Sequence, residues 1–397
     1  MTGHHHDGAP AVEALAVPAG PTILDLLPRL AEALSGDRPV MPHAASGPVP
    51  PVPGHDPASL PDGLAVVVGT SGSTGTPKRA MLTAPALRAS ARATHATLGG
   101  PGQWLLAIPA HHIAGLQVLV RSLDAGTPPL AMDLTDGFRP AAFIAATQGF
   151  IAGARRYTSL VPTQVIRLLD HPGGGDALRT FDAVLVGGAA MPPRLRARAE
   201  RARVHLVATY GMSETAGGCV YDGRALPRTE VELDEEGRIL LGGPTIAHGY
   251  LGLPDLTAAS FGTDDDGIRW FRTDDVGHVD DDGTLHVDGR VDDLIITGGL
   301  KVAPRLVEEA ILEHVPGIRE VVVVGSPDHE WGACVSALVV LSPDAVHDVT
   351  AADLRAHLRG ILPDHALPRR ALTSPSIPIR GPGKPDRRAV EALFTVG

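Results

Sequence analysis

The sequence predicts an α/β protein. It has a large N-terminal domain of mainly parallel sheets flanked by helices, a small β-rich subdomain, and a separate α+β domain at its C-terminal end. Three observations predict it. Short β-branched runs alternate with amphipathic helical stretches from about residue 64 to 212. From about 220 to 290, short strands alternate with acidic turns such as DEEG and DDDG, which suits antiparallel structure. After residue 292 the order is strand, helix, two strands and helix, closing on a Pro-rich end.

Taken in order, residues 1–22 read as a loose N-terminus. ILDLLPRLAEALSGDRP (23–39) has helical apolar spacing and ends at Gly36. Residues 40–63 contain Pro42, Pro48, Pro50, Pro51 and Pro53 and read as an extended connector. LAVVVG is a buried strand that empties into the polar run TSGSTGTPK (70–78). APALRASARATHATL reads as helix and QWLLAIP as strand. FDAVLVGGAAMPPRLRARAERARVHLVATYG reads as strand, Gly turn, helix opening near Pro192–Pro193, and strand, the βαβ rhythm. Ligands of such sheets sit outside the carboxyl ends of the strands. TSGSTGTPK, GGAA (187–190) and YGMSET (210–215) all follow strands and are expected to converge on one crevice. The acidic clusters at 264–266 and 280–282 lack the Gly and terminal Glu of an EF-hand loop and read as solvated turns. The expected divisions are 1–22, 23–291 and 292–397.

Composition excludes several classes. The 397 residues are 44% apolar, enough for a large core, yet no run of about eighteen apolar residues occurs. A membrane span is not expected. MTGHHHDGAPAVEA lacks the features of a signal peptide, so a cytoplasmic protein is expected. Net charge is −11 with scattered arginines, which argues against nucleic acid as a partner. Cys219 and Cys334 form no CxxC and no disulfide framework. A homodimer is compatible with the sequence.

The chemistry sits in a few short segments. In TSGSTGTPK, small residues let backbone N–H groups form an anion nest. Thr70, Ser71, Gly72, Ser73, Thr74, Gly75 and Thr76 line it, and Lys78 adds charge. The Walker pattern is absent, because Gly75 is followed by Thr-Pro-Lys. In YGMSET, Tyr210 can stack on a purine, Ser213 can donate to phosphate, and Glu214 can hold Mg²⁺, which prefers oxygen ligands. Asp275 in RTDDVG suits ribose hydroxyls, Arg290 in GRVDD a second ribose or phosphate contact, and Lys384 lies in GPGKPDRR.

In order and spacing these segments resemble the ANL superfamily of adenylate-forming enzymes, from about residue 23 to the end. TSGSTGTPK resembles its phosphate loop, with Arg79 where glycine is common after Pro-Lys. YGMSET resembles its aromatic-Gly-x-Ser/Thr-Glu motif, RTDDVG its ribose motif with Asp274 in place of glycine, and GRVDDLIITGG its hinge motif. LPRLAEALSGDRPVMP, LAIPAHHIAGLQVLVRSLDAG and SLVPTQVIRLLD are similar to the o-succinylbenzoate–CoA ligases of menaquinone synthesis, in a shortened form.

The resemblance implies an AMP-forming acid–thiol ligase using ATP, Mg²⁺ and coenzyme A, with a mobile C-terminal lid. Lys384, Glu214 and His112 are then the catalytic candidates, with Glu214 and Thr74 toward the metal. Gly188, Ala189, Tyr210, Gly211, Met212, Ser213, Asp275 and Arg290 join the 70–78 loop in binding ATP. His111, His112, Thr163 and Gly187 face the acid. Asp292 is the hinge, and Gly298, Gly299 and Lys301 border the CoA tunnel. A second carboxylate on the acid needs a cation or dense donors, from His111, Arg155 or Arg156, or Thr163. The rival readings are another aryl or medium-chain acid, a stand-alone amino-acid adenylation domain, and a silent nucleotide-binding protein.

Overall fold

The computed structural model describes residues 12–54, 60–70, 78–343, 345, 348–380 and 384–395. The chain divides into two compact units. The first comprises Met1–Glu232 and Leu240–Thr273, and the second Leu233–Ile239 and Asp274–Gly397. The chain passes between them at 232/233, 239/240 and 273/274; the last passage lies inside the strand Arg269–Val279, upstream of the division expected at 291/292.

In the first unit one sheet contains β1 (Glu13–Val17), β2 (Val40–Ala44), β3 (Leu64–Gly69), β4 (Arg79–Thr83) and the short strand Gly249–Tyr250, in that order. Two of these correct the sequence reading. Residues 13–17 are a strand rather than loose chain, and Val40–Ala44 is a strand rather than connector. Val40 and Met41 are buried, and this burial overrides the Pro-rich composition that follows. Pro42 is tolerated because β2 pairs with β3 only at Val40. The expected helix forms as α1 (Leu27–Ser35) and stops at Gly36. β3 and β4 are antiparallel, so the hydroxyl-rich segment joins a hairpin rather than a strand and a helix.

The second sheet carries the βαβ rhythm. It is built from β5 (Gln103–Leu106), β6 (Leu130–Ala131), β7 (Arg156–Leu160), β8 (Ala183–Val186), β9 (Leu206–Met212), β10 (Gly217–Tyr221) and β11 (Arg224–Ala225), ordered 11-10-9-8-7-5-6. Strands β6, β5, β7, β8 and β9 are mutually parallel. Strand alternation sorts the side chains. Leu105, Leu160, Val184 and Leu206 pack with Phe143, Val165, Leu168 and Leu195 on α4 (Pro140–Ala146), α5 (Pro162–Asp170) and the helix Pro193–Arg201.

Trp104, also buried, meets α2 (Ala84–Thr97) and α3 (Ile113–Ala125) instead. Its indole N–H donates to His95 Nε2 at 3.1 Å, and the Arg121 guanidinium lies 4.8 Å from its ring centroid. Arg121 also donates to the Tyr221 hydroxyl at 3.4 Å. This buried polar group fixes α2 and α3 against the sheet. Cys219 is a buried free thiol, which burial pushes up to about 12.

The second unit is smaller. Ile318–Asp328, Gly332–Leu341 and Arg370–Thr373 form a three-stranded sheet. Val321 and Val323 face Val307 and Ile311 of the helix Pro304–His314 and Leu354 of Ala351–Leu358. Val322 and Val324 face Val390 of the helix Arg387–Leu393. The sequence reads the helices Pro304–His314 and Ala351–Leu358 but takes the end as Pro-rich chain, so Arg387–Leu393 is an addition; the alternation along the strand assigns one helical layer to each side of the sheet. In the acidic turns, Asp234, Asp264 and Asp280 accept backbone N–H bonds within their own turns. Among the described residues no helix is long and apolar enough to cross a membrane.

Candidate active site

The second sheet lays four candidate segments side by side. Strands β5, β7, β8 and β9 are neighbours, so the segments at their carboxyl ends lie in that order. They carry His111–His112, Thr163, Gly187–Ala189 and Tyr210–Thr215. This is the edge at which α/β sheets hold ligands. Gly187 is required by close approach, since a Cβ there would overlap the Thr209 hydroxyl on β9. Glycine thus keeps the ends of β8 and β9 close.

Glu214 lies in the short turn Ser213–Thr215 that follows β9 and is only 6% exposed. Thr215 fixes this turn: its hydroxyl accepts from Met212 N–H at 2.9 Å and donates to the Gly217 carbonyl at 2.7 Å. Gln117 of α3 donates to the Ala216 carbonyl at 2.7 Å. The Tyr250 hydroxyl donates to Glu214 Oε1 at 2.9 Å. Tyr250 stands opposite Ala80 on β4, beside the end of the 70–78 segment. There Lys78 Nζ lies 5.4 Å from its ring centroid. Tyr250 therefore joins Lys78 to Glu214, and the expected convergence of these two segments is met through a residue that no motif marks. Thr70 N–H donates to the Lys78 carbonyl at 2.8 Å and closes the base of the hairpin. Ser71, Gly72, Ser73, Thr74, Gly75 and Thr76 lie outside the described residues.

The His111 and His112 rings are 4.2 Å apart. His112 is the N-cap residue of α3 and exposed, whereas His111 is half-buried. Burial, then His112 and His43, push His111 down to about 4. His111 is thus neutral at pH 7 and offers a hydrogen bond rather than a cation. Arg155 and Arg156 are corrected as candidates. They stand at the start of β7, whose length puts them ~13 Å from the edge that carries Thr163. The Arg156 guanidinium instead covers the Phe150 ring at 5.3 Å.

These histidines make stability pH-dependent. His95 is also pushed down to about 4, first by burial and then by Arg121. Both groups have folded pKa values below the ordinary 6.5. Between 6.5 and about 4 the unfolded chain binds protons that the folded chain refuses, so stability falls as pH drops through that window. Their contribution is fully present above 6.5. The thermal midpoint is expected to decline from pH 7 to 4.5, and less steeply in His95→Gln. Equal slopes in the two proteins would refute the assignment.

In the second unit, Asp275 and Arg290 stand directly opposite each other in an antiparallel pair. Asp274, at the position where the resemblance expects glycine, accepts from Arg238 at 3.2 Å and from Arg290 at 3.3 Å. It orients Arg290 beside Asp275. Asp292 is exposed in the turn Val291–Asp293.

Gly298 (φ 56°) and Gly299 (φ 79°) make the two-residue turn between Ile295–Thr297 and Leu300–Val302, a left-handed geometry that favours glycine. Gly298 N–H donates to the Trp331 carbonyl at 3.0 Å, and a Cβ on Gly298 would stand 2.5 Å from the indole. Trp331 is 37% exposed, with the Arg369 guanidinium 4.8 Å from its ring. Sequence reading missed this platform; the only signal was an isolated tryptophan in an acidic turn. Lys301 lies on the strand after the turn, 3.9 Å from Glu236. Lys384 begins a short strand that pairs antiparallel with Ile379–Arg380.

For a divalent ion, Glu214 supplies a buried hard oxygen donor. Among the described residues no group of three or more His, Cys, Asp or Glu could hold a metal. A single carboxylate fits Mg²⁺, which takes most of its shell from water and phosphate.

The chain is similar to known proteins along most of its length. A family model described as AMP-binding enzyme matches residues 5–251, and one described as AMP-binding enzyme C-terminal domain matches residues 306–384. A protein of Mycobacterium tuberculosis named "Probable 2-succinylbenzoate–CoA ligase" is 42% identical over 395 residues, covering 96% of this chain and 98% of that protein. The solved o-succinylbenzoate CoA synthetase (MenE) from Bacillus subtilis, in complex with the acyl-adenylate intermediate OSB-AMP, has a TM-score of 0.70 and 26% identity. That match covers 83% of this chain and 69% of the other. The amide bond synthetase McbA from Marinactinospora thermotolerans has a TM-score of 0.74 and 30% identity, covering 96% and 80%. The chain belongs to the family of AMP-binding, adenylate-forming enzymes.

Proposed function

We propose that this chain is an ATP-dependent carboxylate–CoA ligase whose acid is 2-succinylbenzoate. The observation that carries the reading is the end-to-end match to the M. tuberculosis ligase, 96% of one chain on 98% of the other. The placement of Lys78, Tyr250 and Glu214 together supports the reaction class.

The first half-reaction joins two anions. A carboxylate oxygen attacks the α-phosphorus of ATP, the bond to the bridging oxygen breaks, and pyrophosphate leaves. Positive charge and donors must be in place beforehand. Lys384 meets the carboxylate and α-phosphate. The 70–78 segment and Lys78 hold the leaving pyrophosphate. Mg²⁺ on Glu214 would neutralise charge on the phosphates. Tyr210 and Gly187–Ala189 seat the adenine, and Asp275 with Arg290 holds the ribose. In the second half-reaction the CoA sulfur, as thiolate, bonds to the acyl carbon and AMP leaves with the bonding pair. The lid turns about Asp292, withdrawing Lys384 and presenting Gly298–Gly299 to the pantetheine arm. Trp331 and Arg369 offer a ring and a charge for the nucleotide end of CoA. His112 gates the thiol's approach. Since His111 is neutral, the second carboxylate of the acid is met by hydrogen-bond donors, Thr163 among them.

The test is pyrophosphate release over a panel of carboxylic acids, with CoA, with amines and with neither. The reading expects strong selectivity for 2-succinylbenzoate, with thioester formed when CoA is present. Turnover with benzoates or fatty acids but not 2-succinylbenzoate overturns the substrate. Turnover to an amide but not a thioester, the chemistry named for the McbA structure, overturns the acceptor.

A further inference from the structure

One side chain fixes the base of the segment that carries Lys384. Arg387 opens the helix Arg387–Leu393, three residues after the lysine. Its Nη1 donates to Glu308 Oε1 at 2.7 Å and to the Val323 carbonyl at 2.6 Å, and its Nη2 to Glu308 Oε2 at 3.2 Å. Its Nε lies 3.5 Å from Asp293 Oδ2. Glu308 also accepts from Val323 N–H at 2.8 Å. The Arg387 and Glu308 side chains are 27% and 15% exposed. Burial alone would lower the guanidinium pKa, but Glu308 and then Asp293 override it and raise it. Next to it, Asp386 N–H donates to the Pro378 carbonyl at 2.8 Å, and the Asp386 side chain caps the helix by accepting from Ala389 N–H at 3.1 Å. The hairpin that ends at Lys384–Pro385 is therefore closed at its base.

A bidentate Arg–Glu pair could serve packing alone. Asp293 makes the difference, because it adjoins Asp292 in the turn Val291–Asp293. One guanidinium thus ties together the helix Pro304–His314, the strand Ile318–Asp328, the hinge turn and the base of the lysine hairpin. We infer that Arg387 is a positioning residue for the first half-reaction, making the hinge turn and the lysine hairpin move as one piece so that Lys384 arrives in register. The inference rests on the roles of Lys384 and Asp292 proposed above. A displacement of about 1 Å at a reacting group can cost about 100-fold in rate, so a looser base would be felt at Lys384. The second half-reaction runs with the lysine withdrawn, over a turn held by Trp331, and should not need this anchor.

The experiment measures the half-reactions separately in the full chain. Adenylation is read as pyrophosphate release from 2-succinylbenzoate and ATP, and thioester formation from pre-made acyl-adenylate and CoA. Arg387→Met is expected to slow adenylation about 30- to 100-fold and to leave thioester formation within about threefold. Asp293→Asn keeps the Glu308 and Val323 bonds and removes only the charge from the hinge link. It is expected to slow adenylation about 5- to 10-fold with an unchanged thermal midpoint. Should Arg387→Met fail to fold, Asp293→Asn decides. Equal loss of both half-reactions in a folded variant, or no change in either, overturns the inference. Lys384→Ala run alongside separates the failures. If it adenylates normally, the underlying reading has failed. If it does not, while both variants match wild type, only the role of Arg387 has.

Discussion

Lys384→Ala is expected to lose adenylation by about 1000-fold or more, yet to convert pre-made acyl-adenylate to thioester at a rate close to wild type. The loss corresponds to ~4 kcal/mol at the transition state. Its physical basis is repulsion. Two anions must approach within bonding distance, and a cation placed beforehand between carboxylate and α-phosphate offsets this without reorganisation. No such cation is needed when a thiolate displaces AMP. The substitution should spare the fold, because the backbone pairing of residue 384 with Arg380 does not require a lysine side chain. Lys384→Arg should restore little, since a planar guanidinium does not reproduce a compact ammonium. Separate assays of the two half-reactions check this. Equal loss of both would sink the hinged-lid account.

The second large effect is expected at Glu214. Glu214→Gln preserves shape and the acceptor for Tyr250, which donates at 2.9 Å, so the turn should survive. What disappears is a negative charge in a buried site. Adenylation is expected to fall by about 100- to 1000-fold, ~3–4 kcal/mol. Half-saturation should move to higher Mg²⁺, and thioester formation from pre-made adenylate should be spared because no pyrophosphate is involved. Adenylation rates measured across a Mg²⁺ titration decide it. A variant within threefold of wild type, with an unshifted Mg²⁺ curve, removes Glu214 from the metal role.

What the sequence made legible was local chemistry. Glycine, hydroxyl and carboxylate residues in short runs report a backbone requirement or a ligand contact wherever the chain places them. TSGSTGTPK, YGMSET and GPGK could therefore be read one segment at a time. The helices α1, α2 and Pro193–Arg201 and the strands β5, β8 and β9 were legible for a related reason, since their apolar periods differ. The missed features depend on distant pairing. Tyr250 gains its role only because its strand lies against β4. Trp331 gains its role because a glycine turn from another part of the unit lies against the indole. Arg155 and Arg156 looked suitable by type, but sit at the wrong end of β7, a matter of strand direction that composition does not encode. β1 and β2 were hidden because five-residue strands, one of them holding a proline, are specified by their partners more than by themselves.

The contact between Trp331 and Gly298 has an optical consequence. The chain has three tryptophans, and of them Trp104 and Trp270 belong to the first unit while Trp331 alone belongs to the second. Trp104 is sealed beside an imidazole and a guanidinium, whereas Trp331 is partly in water next to the turn at which the thiol is proposed to enter. The protein thus carries a built-in fluorophore at the part proposed to move. With the other two indoles replaced by phenylalanine, emission colour and quenching by iodide would follow that turn in real time, with no dye attached.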